Sequence, residues 1–403
     1  MEFNKDTFCM MTHKGFFVQP DRKIKPCCVF TDFDIPVLYD ESKTFDEMFN
    51  SPQFIDLRQK MDSGIIHKGC EGCFNGKTEM REGLNTFLFE NDYNILKHII
   101  PVDKKSTNIH YLDLRLSNLC NFKCRMCNET YSSSWAQEKQ KLNIPISKLN
   151  GVSDLSDDYL DVIKDSIKDL KYLYLGGGEP FIMKETFELL NLLTTEQKSK
   201  ITLALNTNLS TLYYKGLDIL EMLGQFQSVY FNVSCDGIGK VGEYQRTGFD
   251  TLKFEHNVKK VLERKNKFKQ FEIRFTYALG AVNIFHIPDF LSYIKQKFNL
   301  TEDNVGVEFI EWPWYYNIGN SSPKFKTKVK TFIDNLQINK NSELFRRLSS
   351  YKSFIDQTFK INNPTNDINF INTIDNHRGD SLKETAPWVV KDILNYNLHS
   401  KTI

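Results

Sequence analysis

Three cysteines in one short stretch carry the most specific chemistry of this 403-residue chain. Cys120, Cys124 and Cys127 follow the spacing Cys-x3-Cys-x2-Cys within Asn118-Leu119-Cys120-Asn121-Phe122-Lys123-Cys124-Arg125-Met126-Cys127-Asn128. Three thiolates on one loop can hold three irons of a four-iron cubane, and with no fourth cysteine nearby one iron keeps an open position for a ligand. The rival is zinc, but a structural zinc site takes four protein ligands and no fourth stands nearby in sequence.

A second set lies near the start. Cys9, Cys27, Cys70 and Cys73 offer four thiolates, a closed site that suits a fully coordinated cluster or tetrahedral zinc. Cys28 is a spare beside Cys27, and spacing does not decide between the two. Cys235 stands alone and reads as a buried core thiol. Residues 1–12 lack the regions of a signal peptide, so the nine cysteines are expected reduced in a cytoplasmic setting, and the clustering of eight of them in two groups points to metal ligands.

These groups need a scaffold. From about residue 111, short β-rich runs alternate with helical spacing, which predicts parallel strands joined by crossover helices. Strands are expected at 111–116, 172–175, 201–205, 228–235, 271–279 and 305–310, and helices at 157–170, 184–193, 252–264 and 288–298. The cysteine triad follows the first strand, where a barrel-like α/β fold carries its reactive loops. Gly176-Gly177-Gly178-Glu179-Pro180 follows the second, and its glycines permit a tight turn and close approach to a ligand. Asn206, Thr207 and Asn208 end the third. Ser234 and Asp236 end the fourth two residues apart, so both are expected on one face with Cys235 on the other. The sixth leads into the aromatic run 311–316, for which pocket lining and core packing are both open.

Residues 1–105 hold Pro20, Pro26, Pro36 and Pro52, show little periodicity beyond a hairpin at Asp21 and Arg22, and are expected to form a separate metal-stapled unit. Residues 106–320 form the barrel unit. Residues 321–403 are mostly helical, with a loop expected at 362–367 where Asn and Pro cluster.

The triad spacing, the strand before it and the units after it resemble the radical S-adenosylmethionine (radical SAM) superfamily. The resemblance implies an α/β fold, a partial (β/α)6 TIM-like barrel over roughly 108–320, with a small N-terminal Fe-S (twitch-like) domain and a helical C-terminal extension. It implies a [4Fe-4S] cluster on the catalytic Cys120, Cys124 and Cys127, with S-adenosyl-L-methionine chelating the open iron. By the same resemblance Gly177, Gly178 and Glu179 meet the cofactor's amino group, and Asn206 and Asn208 belong to a cofactor-binding Thr-Asn segment. Ser234 and Asp236 match the Ser-x-Asp-Gly of peptide-modifying members, and Arg246 matches the arginine that holds the cofactor carboxylate. Met126 stands where an aromatic residue usually lies beside the adenine.

Over about 8–85 the chain resembles the twitch domain, a shortened relative of the SPASM domain, here ahead of the barrel. That implies an auxiliary [4Fe-4S] cluster on Cys9, Cys27, Cys70 and Cys73, with Cys27 chosen over Cys28 because it follows Pro26. The implied activity is reductive cleavage of S-adenosylmethionine to a 5′-deoxyadenosyl radical that abstracts hydrogen from a substrate, a peptide or protein side chain. A sugar or nucleoside is the small-molecule alternative. The implied partner is an electron donor such as flavodoxin or ferredoxin.

A reading from another class is a non-catalytic zinc-binding interaction module that recruits a partner through the lysine runs 265–269 and 324–330. The formal net charge of +1 gives no electrostatic case for nucleic acid or an anionic membrane as main partner. No apolar run approaches the roughly 20 residues that span a bilayer.

Overall fold

All six expected strands form, and they run parallel in one sheet. The structure is a computed structural model and describes residues 7–31, 37–40, 42–74, 108–146, 159–164, 166–357 and 364–399. In chain order the sheet strands are β1 (Gly15–Val18), β2 (Lys23–Lys25), β3 (Val37–Leu38), β4 (Tyr111–Leu114), β5 (Tyr172–Leu175), β6 (Thr202–Thr207), β7 (Ser228–Ser234), β8 (Phe271–Leu279) and β9 (Val305–Phe309). Their spatial order is β9-β8-β7-β6-β5-β4-β1-β2-β3. From β4 to β9 each strand pairs in parallel with the next, as short strands joined by amphipathic crossovers require.

Alternation along the strands sorts the two faces. Phe271, Ile273, Phe275, Tyr277 and Leu279 are buried, while the residues between them on β8 are less so, and β7 repeats the pattern with Val229, Phe231 and Val233. The buried face packs under helices such as Thr251–Lys265 and Ile287–Phe298. The other face carries buried Asp113, Thr202 and Ala204 together with half-buried Asn206, Asn232 and Arg274. Glu308, one residue before the end of β9, acts electrostatically on Tyr174 of β5. Four strand spacings separate β9 from β5, roughly 19 Å in a flat sheet. The sheet is therefore curled, and this second face lines a lumen.

The N-terminal stretch is sewn into this sheet. β1 pairs in parallel with β4, setting Gly15 beside Tyr111 and Val18 beside Leu114, and the expected hairpin returns through Arg22 (φ 64°) into β2. The unit expected to stand apart thus shares strands and one hydrophobic core with the barrel, Phe16 and Val18 lying in the same cluster as Leu112 and Leu114.

Two of the prolines read as breaks start helices instead. Pro52 opens Pro52–Asp62 and Pro364 opens Pro364–Arg378. A fixed φ suits the first helical turn, whose N–H groups have no partner within the helix. The loop expected at 362–367 is corrected accordingly, with 362 and 363 outside the described residues. Helices Pro323–Asp334 and Glu343–Phe354 complete the C-terminal part. No helix among the described residues is long and apolar enough to cross a membrane.

Candidate active site

The cysteine loop leaves the end of β4 and is fastened at nearly every turn. Ser132, Ser133 and Ser134 stand at the start of helix Ser133–Lys141. The Ser132 hydroxyl donates to Phe122 O (2.7 Å), the Ser134 hydroxyl to Cys120 O (2.6 Å), and the Ser133 Oγ accepts from Cys120 N (3.1 Å). The Trp135 indole N–H donates to Cys124 O at 2.7 Å. Cys127 N donates to Cys124 O at 3.0 Å, closing a tight turn around Arg125 and Met126.

The three thiols lie close enough to act on one another. Burial raises all three from the ordinary value, Cys127 to about 12, and Cys124 adds to the rise at both Cys120 and Cys127. Opposing this at Cys124 is Arg246, whose Nη1 donates to the sulfur at 3.5 Å. Protonated neutral thiols are what these positions favour without metal, so a cluster must displace protons to bind. Among the described residues no three His, Cys, Asp or Glu side chains close at the distance of a single metal ion. A cubane gives each thiolate its own iron, and three mutually interacting thiols on one loop are the donor set it takes.

The glycine turn after β5 is strapped to this loop. Gly178 N donates to Ser117 O (3.0 Å) and Glu179 N to Leu119 O (2.8 Å). A Cβ at Gly178 would lie 2.1 Å from Leu119 O, and Gly177 has φ +104° with Ser117 O 2.6 Å from its Cβ position. Only glycine fits there, which leaves bare backbone beside Cys120.

Glu179 turns inward. Its carboxylate accepts from Thr207 Oγ1 (2.6 Å), Asn208 N (2.6 Å) and Phe181 N (3.1 Å), and burial nonetheless pushes its pKa up to about 7. Asn208 Nδ2 in turn donates to Asn121 Oδ1 (3.0 Å) inside the cysteine loop. The ends of β5 and β6 and the triad are thus one bonded unit. Asn206 lies on one face of β6 beside Asn232 of β7, and Ser234 follows two residues on, at the end of β7 and on the same face.

Asp236 is fully buried. Its Oδ2 lies 2.6 Å from Arg246 Nε and its Oδ1 accepts from Ala278 N at 2.7 Å. Arg246 itself pairs with Cys124 across a two-residue antiparallel bridge. Cys235 is buried with its thiol donating to Gly237 O, as expected of a core thiol. Met126 is half-buried beside the cluster loop. The aromatic exit packs into the core: Trp314, Tyr315 and Tyr316 are buried, with Trp314 donating to Asp367, and only Trp312 is exposed.

The N-terminal cysteines also converge. Burial raises the thiols of Cys27 and Cys70 most; the adjacent Cys28, then Cys9 and Cys70, add to the rise at Cys27, and Cys9 and Cys73 add to it at Cys70. All four lie before β1 or beyond β2, and Cys9 and Cys27 pack near Tyr111 at the start of β4. The triad lies past the end of the same strand. Cys28 looks elsewhere: beyond burial, which raises its thiol to about 11, the strongest influences on it are Asp113, Arg115 and Glu308. It is exposed as a residue yet surrounded by protein mass, as a group lining the lumen is.

Two arginines escaped the sequence reading. Arg125, inside the triad, reaches Asp375 (2.7 Å) and Asp380 (2.6 Å) and lies over the Tyr244 ring. Arg378 donates to Lys123 O (3.0 Å), Thr247 Oγ1 (2.9 Å) and the Glu138 carboxylate. The helix Pro364–Arg378 thereby clamps the cysteine loop from outside. The run Ser132-Ser133-Ser134 before a helix was a legible cap signal, but nothing in sequence links residue 378 to residue 123. The lysine runs are solvated surface: Lys265 pairs with Glu272, Lys267 with Glu221 and Lys330 with Asp356.

Residues 114–286 match the family model of the Radical SAM superfamily. That stretch carries the triad, the glycine turn, Asp236 and Arg246, and the match supports membership of the superfamily. The chain is 25% identical over 198 residues to a GTP 3′,8-cyclase of Campylobacter lari, across 49% of this chain and 55% of that protein. It thus spans about half the length of that curated relative. Among solved structures it is similar to anSMEcpe with bound AdoMet (22% identity, TM-score 0.39, 56% of this chain and 59% of that one). It is also similar to Streptococcus suis SuiB bound to S-adenosylmethionine (14% identity, TM-score 0.34, 80% and 67%).

Proposed function

We propose that this protein is a radical SAM enzyme. The observation that carries the reading is the bonded unit at the strand ends: three converging thiols, with the Gly177-Gly178 backbone fastened against the first of them. Cys120, Cys124 and Cys127 would hold a [4Fe-4S] cluster with one iron left to S-adenosylmethionine. When bound, this pair would supply radical chemistry, one electron from the donor-reduced cluster splitting the sulfonium into methionine and a 5′-deoxyadenosyl radical able to take a hydrogen atom from a substrate.

The chain's part is placement. Glu179 locks the ends of β5 and β6 to the loop, Arg246 steadies the Cys124 thiolate, and the exposed backbone at Gly177 and Gly178 receives the amino end of the cofactor. Met126, Asn206, Asn208 and Ser234 would complete the surrounding wall, with Asp236 buried behind it and holding Arg246 in place. Cys9, Cys27, Cys70 and Cys73 would hold an auxiliary cluster at the opposite end of β4, and a flavodoxin or ferredoxin would supply electrons. Resemblance to peptide-modifying members supports a peptide or protein side chain as substrate, while similarity to a protein named GTP 3′,8-cyclase supports a nucleotide-like small molecule.

The test is anaerobic reconstitution of the wild type and the C120A/C124A/C127A variant. The expected result is about eight irons in the wild type, about four in the variant with one electron paramagnetic resonance signal lost, and 5′-deoxyadenosine only from the wild type. Zinc in place of iron at both sites, with no 5′-deoxyadenosine, would overturn it.

A further inference from the structure

Midway along the lumen one basic side chain makes no ion pair with any of the described residues. Arg274 of β8 stands beside Asn232 of β7 in register, and Asn232 beside Asn206 of β6. All three are on the lumen face, by the alternation that buries Phe231, Ile273 and Phe275 on the other. These strands are interior to the sheet, so a half-buried arginine here reaches solvent only through the lumen.

Gly306 of β9 makes the room. A Cβ at that position would lie 2.9 Å from Arg274 Nε and 3.3 Å from its Cζ, so the guanidinium is laid across the neighbouring strand. Arg115 is laid over Gly176 in the same way, its Nη1 3.0 Å from the Cβ position, but it pairs with Asp113 at 2.8 and 3.1 Å. Among the described residues Arg274 has no such partner, and its Nε is buried without an acceptor. Glu308 is within electrostatic range, yet it approaches Arg347 at 3.8 Å and its side chain is 71% exposed.

A buried guanidinium N–H without an acceptor is costly, and the planar fork of the group matches carboxylate and phosphate oxygens. We propose that Arg274, flanked by Asn232 and Asn206, is an oxyanion-binding site in the lumen that takes a carboxylate or phosphate of the substrate. The inference rests on the radical SAM reading for the lumen being the substrate chamber. The two asparagines supply amide donors and acceptors to the polar atoms next to that anion.

The experiment is calorimetric titration of the reconstituted full chain, with S-adenosylmethionine present, using pyrophosphate and glutarate as probes. The wild type is expected to bind one of them at one site per chain, pyrophosphate if the natural group is a phosphate and glutarate if it is a carboxylate. R274Q is expected to weaken that binding by about tenfold or more, and G306A, which crowds the guanidinium without removing it, to weaken it as well. S-adenosylmethionine binding is expected to stay unchanged in both variants. Failure of both probes on the wild type, or equal binding by R274Q, would overturn the site. Loss of S-adenosylmethionine binding in the wild type would instead overturn the reading beneath it.

Discussion

Arg246 ties Asp236 to Cys124, with Nε 2.6 Å from the carboxylate and Nη1 3.5 Å from the sulfur. The sequence pattern suggested that this arginine reaches for a cofactor carboxylate; the structure spends two of its nitrogens on a buried acid and a thiol. Removing it as R246Q strands the Asp236 charge, for a loss of about 3–5 kcal/mol. It also removes the larger of two influences that oppose burial at Cys124, Arg378 being the other. Iron incorporation, which requires deprotonation, should rise with pH in the wild type and need a higher pH in R246Q. Thermal unfolding and iron content between pH 7 and 9 check both effects.

Cys27 and Cys28 are adjacent but face different partners. C27S should lower the iron count and abolish the signal of the auxiliary site, whereas C28S should leave both as in the wild type. Iron and sulfide analysis with paramagnetic resonance measures this; loss of iron in C28S would reverse the assignment.

The clamp by helix Pro364–Arg378 predicts an effect at a distance. Arg378 and Glu138 are about 1% and 2% exposed at their side chains, so R378A leaves a buried carboxylate with Lys123 at 2.6 Å and the His377 ring at 3.8 Å as its remaining partners. A destabilisation of about 3–5 kcal/mol is expected. Amide hydrogen exchange at 120–127 should accelerate before global unfolding, and unchanged exchange there would show that the helix merely packs.

Glu179 predicts a pH slope. Its ordinary value is 4.5 and burial carries it to about 7. Between these values the folded chain keeps a proton that the unfolded chain has lost, so the contribution of this group to stability is full below 4.5 and is lost as pH rises through 7. The span corresponds to about 3 kcal/mol. E179Q should flatten the fall in denaturation midpoint between pH 5 and 8; an unchanged slope would place the titration elsewhere.

Much of the barrel was legible because its strands are short β-rich runs with clear punctuation, and the chemistry-bearing segments at Cys120, Gly177 and Asn206 fall at strand ends. What resisted reading was long-range. No local pattern shows that Gly15–Val18 would join Tyr111–Leu114 in parallel, since four apolar residues suit many settings. Pro52 and Pro364 read as interruptions because proline marks both a loop and a helix start. The positions of Arg378 over Lys123 and Arg274 over Gly306 depend on folds hundreds or tens of residues away.

The pairing of β1 with β4 has one more consequence. It anchors one set of thiols at the entrance of a four-residue strand and the other past its exit, so strand length, about 10 Å or more, works as a fixed spacer between two candidate electron carriers. A guest lodged in the channel would sit bracketed by both, able to receive from one mouth and discharge toward the other without the protein having to move.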